Sequence, residues 1–76
     1  MKLGNLNSKK VLRAFIKMGM EKKAQTGTHV VITGILNGQK KTFVIPIHKK
    51  EIPNGTMTDI LNNQAGISRE EFFKYY

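Results

Sequence analysis

Two histidines, set among short lysine pairs, are the side chains of this chain best suited to chemistry. His29 closes the tripeptide Gly27-Thr28-His29, and His48 stands in Ile45-Pro46-Ile47-His48-Lys49-Lys50. Imidazole has an unperturbed pKa of about 6.5, so it can both take and give a proton near neutral pH. Gly27 permits a close approach of backbone to a phosphate, Thr28 offers a hydroxyl and an N–H, and lysines supply the cationic field that a phosphodiester needs. Lys22, Lys23, Lys49 and Lys50 are the lysines expected near the face that carries His29. On the residues alone two roles stay open for His29, a catalyst and a surface or turn residue. His48 likewise reads as a loop residue that hydrogen-bonds locally or touches a phosphate, or as a second catalyst.

Charge narrows the class of partner. Thirteen Lys and Arg face five Asp and Glu, a formal net charge of +8 over 76 residues. That balance suits nucleic acid, or a protein partner with an acidic face. There is no cysteine, which excludes disulfides and thiolate metal sites and fits a reducing cytoplasm. His29 and His48 with Glu51 make too thin a donor set for a transition metal, so neither a metal nor another cofactor is expected. A Gly-rich phosphate loop, a His-Glu-x-x-His helix and a Gly-x-Ser-x-Gly elbow are all missing, as is an aromatic-rich RNP strand. No apolar run reaches the roughly 18 residues of a membrane helix, and Met1-Lys2-Leu3-Gly4-Asn5 does not resemble a secretion signal, so a soluble cytoplasmic protein is expected.

The elements that must position these side chains follow from local pattern. A chain of this length buries only around 60% of its unfolded surface, which predicts one domain over residues 1–76 with a shallow site. Asn7 or Ser8 caps a first helix with Val11, Leu12, Phe15 and Ile16 on its apolar face, and Gly19 stops it. Met20 to Gln25 reads as a short charged strand. His29 to Leu36 is dense in β-branched residues, and Asn37-Gly38 supplies the two positive φ angles of a type I′ hairpin before a return strand, Lys41 to Ile47. Alternation sends Val30, Ile32 and Leu36 inward with Phe43, Ile45 and Ile47, and turns His29, Val31 and Thr33 outward.

Beyond a loop marked by Pro46, Pro53, Asn54 and Gly55, Thr56 with Asp59 predicts a helix over Met57 to Ala65, stopped by Gly66. Ser68 with Glu71 starts a last short helix that carries Phe72, Phe73, Tyr75 and Tyr76. The predicted order is α-β-β-β-α with a terminal helical turn or two, an α+β fold. Phe15, Phe43, Phe72 and Phe73 read as core residues.

These residues resemble the HicA family of toxins, small basic YcfA-like proteins of toxin–antitoxin modules. The likeness rests on the first helix ending in Met18-Gly19, on Gly27-Thr28-His29, and on Val44-Ile45-Pro46-Ile47-His48. Its most specific part lies in Glu51 to Ser68, where Gly55-Thr56 leads to Ile60-Leu61 and then Gln64-Ala65-Gly66-Ile67. The resemblance implies a fold similar to the double-stranded RNA-binding domain, a three-stranded antiparallel sheet with helices on one face. It implies an mRNA interferase, a ribosome-independent endoribonuclease acting on mRNA and restrained by a HicB-like antitoxin. His29 matches the family's catalytic histidine, with Thr28 where serine is commoner.

The chemistry expected of that histidine is metal-independent transesterification, with His29 as general base to the ribose 2′-hydroxyl or general acid to the leaving 5′-oxygen. One positioned acid or base contributes about 10²- to 10⁴-fold, and the second proton-transfer group is left unassigned. Lys23, Lys49 or Lys50 would steady charge on the phosphorane. A non-catalytic binder of double-stranded RNA and a module for an acidic protein are the alternative readings.

Overall fold

The computed structural model describes residues 5–76; the sequence reading of residues 1–4 lies outside the described part. The chain runs through β1 (Leu6–Asn7), α1 (Ser8–Lys17), β2 (Glu21–Thr26), β3 (His29–Leu36), β4 (Gln39–Pro46), β5 (Glu51–Ile52), α2 (Asn54–Asp59) with a π-helical continuation (Ile60–Ala65), and α3 (Arg69–Phe73). Strands β2, β3 and β4 form an antiparallel sheet in that order, and β1 pairs antiparallel with β5. The fold is α+β in the predicted α-β-β-β-α order, consistent with a double-stranded RNA-binding-domain-like arrangement.

Helix α1 begins where expected: the Asn7 side chain accepts from Lys10 N at 3.0 Å, meeting one of the backbone donors left open at a helix start. Its buried face is Ser8, Val11, Ala14 and Phe15. Ile16, expected on that face, is 40% exposed. At about 100° per residue Ile16 falls well away from the centre of the Val11–Phe15 stripe, and Ala14 takes its place.

The inward set of the sheet is as alternation predicts: Val30, Ile32 and Leu36 are buried with Phe43 and Ile45, and Ile47 packs against them partly buried. Phe15 meets Phe43 edge-on at 5.2 Å and Phe72 at 5.5 Å, so α1, β4 and α3 share one aromatic centre, a geometry worth about 0.5–1.5 kcal/mol per pair beyond burial. Phe15, Phe43 and Phe72 are buried as expected, and Phe73 is partly so. Gly34 sits mid-strand for a steric reason. A Cβ there would stand 2.9 Å from Met20 Cα, so its bare backbone admits the α1–β2 connection to the sheet.

Asn37 and Gly38 both have positive φ, 51° and 79°, as the hairpin requires. Because the turn is only two residues long, pairing resumes at once with Leu36 opposite Gln39, and β4 starts two residues before the predicted Lys41. It ends at Pro46, opposite His29.

The second helix differs from expectation. It starts at Asn54, not at Met57, because Met57 N donates to Pro53 O at 3.0 Å and closes a first turn over Asn54–Thr56. Thr56 therefore does not cap it. Asp59 instead accepts from Asn63 Nδ2 at 2.8 Å and Gln64 Nε2 at 2.9 Å. The π-helical continuation buries Ile60, Leu61 and Ala65, and Gly66, at φ 69°, ends it with its N–H on Leu61 O at 2.9 Å. The Ser68 cap holds as predicted, accepting from Glu71 N at 3.1 Å.

Candidate active site

One end of the sheet collects the chemistry-bearing residues. Strand β2 turns into β3 through Gly27 and Thr28, with Thr26 directly opposite His29. Gly27 has φ 59° and Thr28 is not in the positive-φ region, the pattern of a type II′ turn with glycine first. The Gly27 carbonyl accepts from Gln25 Nε2 at 3.1 Å. His29 opens β3, exposed, on the face opposite the buried Val30 and Ile32. Both the strand start and the outward direction of His29 agree with the alternation.

The other side of the site is the segment after β4. Pro46 has no N–H and ends the ladder. The next residue turns back to the hairpin, where Ile47 N donates to Thr28 O at 2.7 Å. Two residues on, Ser8 fastens the same segment from the start of α1: Ser8 Oγ donates to Lys49 O at 2.7 Å and Ser8 N to Lys50 O at 2.9 Å. Ser8 is 2% exposed and is the buried polar residue among the described ones; its two bonds satisfy donors whose burial unpaired would cost about 1–3 kcal/mol.

His48 is thus pinned on both flanks while its own side chain stays exposed. Its ring lies 6.0 Å from that of His29, centroid to centroid, with 26° between the planes. Spacing gives no sign of this approach, because 18 residues lie between the two positions.

The lysines divide. Lys49 and Lys50 join His48, Ser8 and Lys9 around a shallow depression of about 380 Å³ beside the paired imidazoles. Lys9 was not among the expected site residues; the Ser8 bonds to the 49–50 backbone and the β1–β5 pairing next to them bring it there. On β2 the register is Lys22 opposite Ile32 and Ala24 opposite Val31, with Lys23 as the extra residue between. Directly paired residues share a face, so Lys22 lies on the side of the buried Ile32, away from His29. There its ammonium donates to Gln25 Oε1 at 3.2 Å. The expected placement of Lys22 beside His29 is therefore corrected: the bulge at Lys23 sets which face each β2 residue takes.

The charge of this end is positive. Glu51 is the nearest carboxylate in the chain order, lining a smaller depression of about 110 Å³ with His48 and Lys49. Asp59, on α2, has its carboxyl held below the ordinary range by hydrogen bonds from Asn63 and then Gln64. Among the described residues no group of three or more His, Cys, Asp or Glu side chains gathers as a metal site. Among them, too, no helix is long and apolar enough to cross a membrane.

An exposed imidazole, a second one beside it, a turn with accessible backbone and three lysines can bind a phosphodiester and move protons on it. A family model described as the HicA toxin of bacterial toxin-antitoxin matches residues 8–67 of the chain, so the protein belongs to that family. No curated protein matches the chain.

Proposed function

We propose that this member of the HicA toxin family is an mRNA interferase, a cytoplasmic ribosome-independent endoribonuclease that a HicB-like antitoxin restrains, with His29 as its catalytic acid or base. The observation that carries the reading is the placement of His29: it opens the central strand at one end of the sheet, its backbone paired on both sides, with its imidazole in solvent beside His48. A histidine that served packing would face the helices with Val30 and Ile32. This one is free to reach a substrate.

Substrate RNA then lies across the Gly27–Thr28 turn and the 47–50 segment. The Gly27 backbone allows a phosphate close, Thr28 contributes its hydroxyl and N–H, and Lys49 and Lys50, with Lys23 on the neighbouring strand, neutralise the flanking charge. His29 takes the proton of the 2′-hydroxyl or gives one to the leaving 5′-oxygen. Lysine charge near the phosphorane stabilises the transition state, which carries more negative charge than the bound diester.

The test is cleavage of a defined RNA by purified protein with a chelator present, followed by identification of the ends. Cleavage leaving a 2′,3′-cyclic phosphate and a 5′-hydroxyl, together with growth arrest on expression without an antitoxin, is the expected result. Protein that retards RNA in a gel but leaves it intact would establish the binding module instead.

A further inference from the structure

We infer that His48 is the second proton-transfer group of the site, so that His29 and His48 divide the two proton transfers of one transesterification; the inference rests on the ribonuclease reading of the same site. Each nitrogen must come within about 3 Å of the oxygen it serves, and the attacked and departing oxygens sit on opposite sides of one phosphorus. Two imidazoles sharing a phosphodiester therefore stand several ångströms apart without touching. The rings of His29 and His48 are 6.0 Å apart and nearly parallel at 26°, which leaves room for the diester against their exposed edges.

The backbone around the pair is held as a proton-transfer site demands. His29 is fixed by pairing to Thr26 on one side and Pro46 on the other. The residue before His48 is bonded to the Thr28 carbonyl, and the two residues after it accept from Ser8. The Ile47–Thr28 bond ties the backbone beside one imidazole directly to that beside the other. A loop histidine whose only task was to touch a phosphate would need none of this coupling.

The step balances with these two groups alone. The neutral imidazole takes the proton of the 2′-hydroxyl as O2′ forms its bond to phosphorus. The P–O5′ bond breaks, and the protonated imidazole gives its proton to O5′. The products are a 2′,3′-cyclic phosphate and a 5′-hydroxyl, and the imidazoles regain their starting states by exchange with water. No oxidant, reductant or added nucleophile enters.

The experiment uses an RNA cut by the wild type at a mapped position, and the same RNA made with sulfur replacing the bridging O5′ there. A thiolate leaves without protonation, so the sulfur substrate bypasses the general acid and not the general base. Single-turnover rates are measured for the wild type, His29→Gln and His48→Gln, with circular dichroism to confirm that the variants are folded. On the oxygen RNA both variants should lose about 10²-fold or more. On the sulfur RNA one variant should return to within about tenfold of the wild type while the other stays slow, and the rescued one marks the acid. Near wild-type cleavage of the oxygen RNA by His48→Gln overturns the assignment, and so does an equal response of both variants to sulfur. A wild type that cuts no RNA, so that no position can be mapped, removes the ribonuclease reading itself, a failure distinct from either.

Discussion

The sheet has a two-residue hairpin turn at each end, and the two turns differ in what surrounds them. Asn37-Gly38 closes β3 onto β4 with both residues at positive φ, and a Cβ on Gly38 would meet nothing within 4 Å. Gly27-Thr28 closes β2 onto β3 with one positive φ, and a Cβ on Gly27 would also meet nothing within 4 Å. As covalent solutions they are near equivalents. Around Gly27-Thr28, however, the chain gathers His29, the end of β4, the 47–50 segment and the start of α1, tied by three short backbone-directed bonds. The far turn reverses the chain and reaches one distant carbonyl, Asn37 Nδ2 donating to Gly66 O at 3.5 Å, while the near one serves as a platform for two imidazoles and a lysine cluster.

Replacing either glycine should separate these roles. Gly27→Ala and Gly38→Ala each force a residue with a Cβ into left-handed backbone, at roughly 1–2 kcal/mol, so urea denaturation should show similar losses of stability. RNA cleavage under conditions where both remain folded should fall strongly for Gly27→Ala and stay near wild type for Gly38→Ala. Equal cleavage by the two variants would break the distinction between the ends.

A smaller effect should appear in binding. Lys49 lines the depression beside His48, whereas Lys40 pairs across from Ile35 near the far turn. Removing one phosphate contact lowers the slope of log affinity against log salt by roughly 0.7–0.9. Lys49→Ala should show that reduction in a titration with RNA, and Lys40→Ala should leave the slope close to the wild type. A larger change at Lys40 would move the RNA track to the other end of the sheet.

The two ends also differ in how far the residues alone revealed them. The far turn, the span of β3, the caps at Asn7 and Ser68 and the stop at Gly66 each rest on signals within a few residues, and they were legible. So was the outward direction of His29, which needs only the parity of a β-strand. What stayed hidden depends on contacts between distant segments. The bulge at Lys23 resets the faces of β2 and carries Lys22 to the helix side. The two-residue strands β1 and β5 are too short to show a period. The start of α2 is decided by the Pro53 carbonyl and not by the Thr56 hydroxyl. The meeting of His29 with His48 follows from where β4 must stop and from one bond between Ile47 and Thr28, neither of which spacing encodes.

Comparison of wild type with His29→Ala on a defined RNA, with chelator present, decides whether His29 is catalytic. His29 is exposed and its backbone pairing does not involve the side chain, so the variant should fold and melt like the wild type. Its cleavage rate should be lower by about 10²- to 10⁴-fold, and its expression without an antitoxin should permit growth. A folded His29→Ala that cuts RNA and arrests growth as the wild type does would show that His29 is not catalytic.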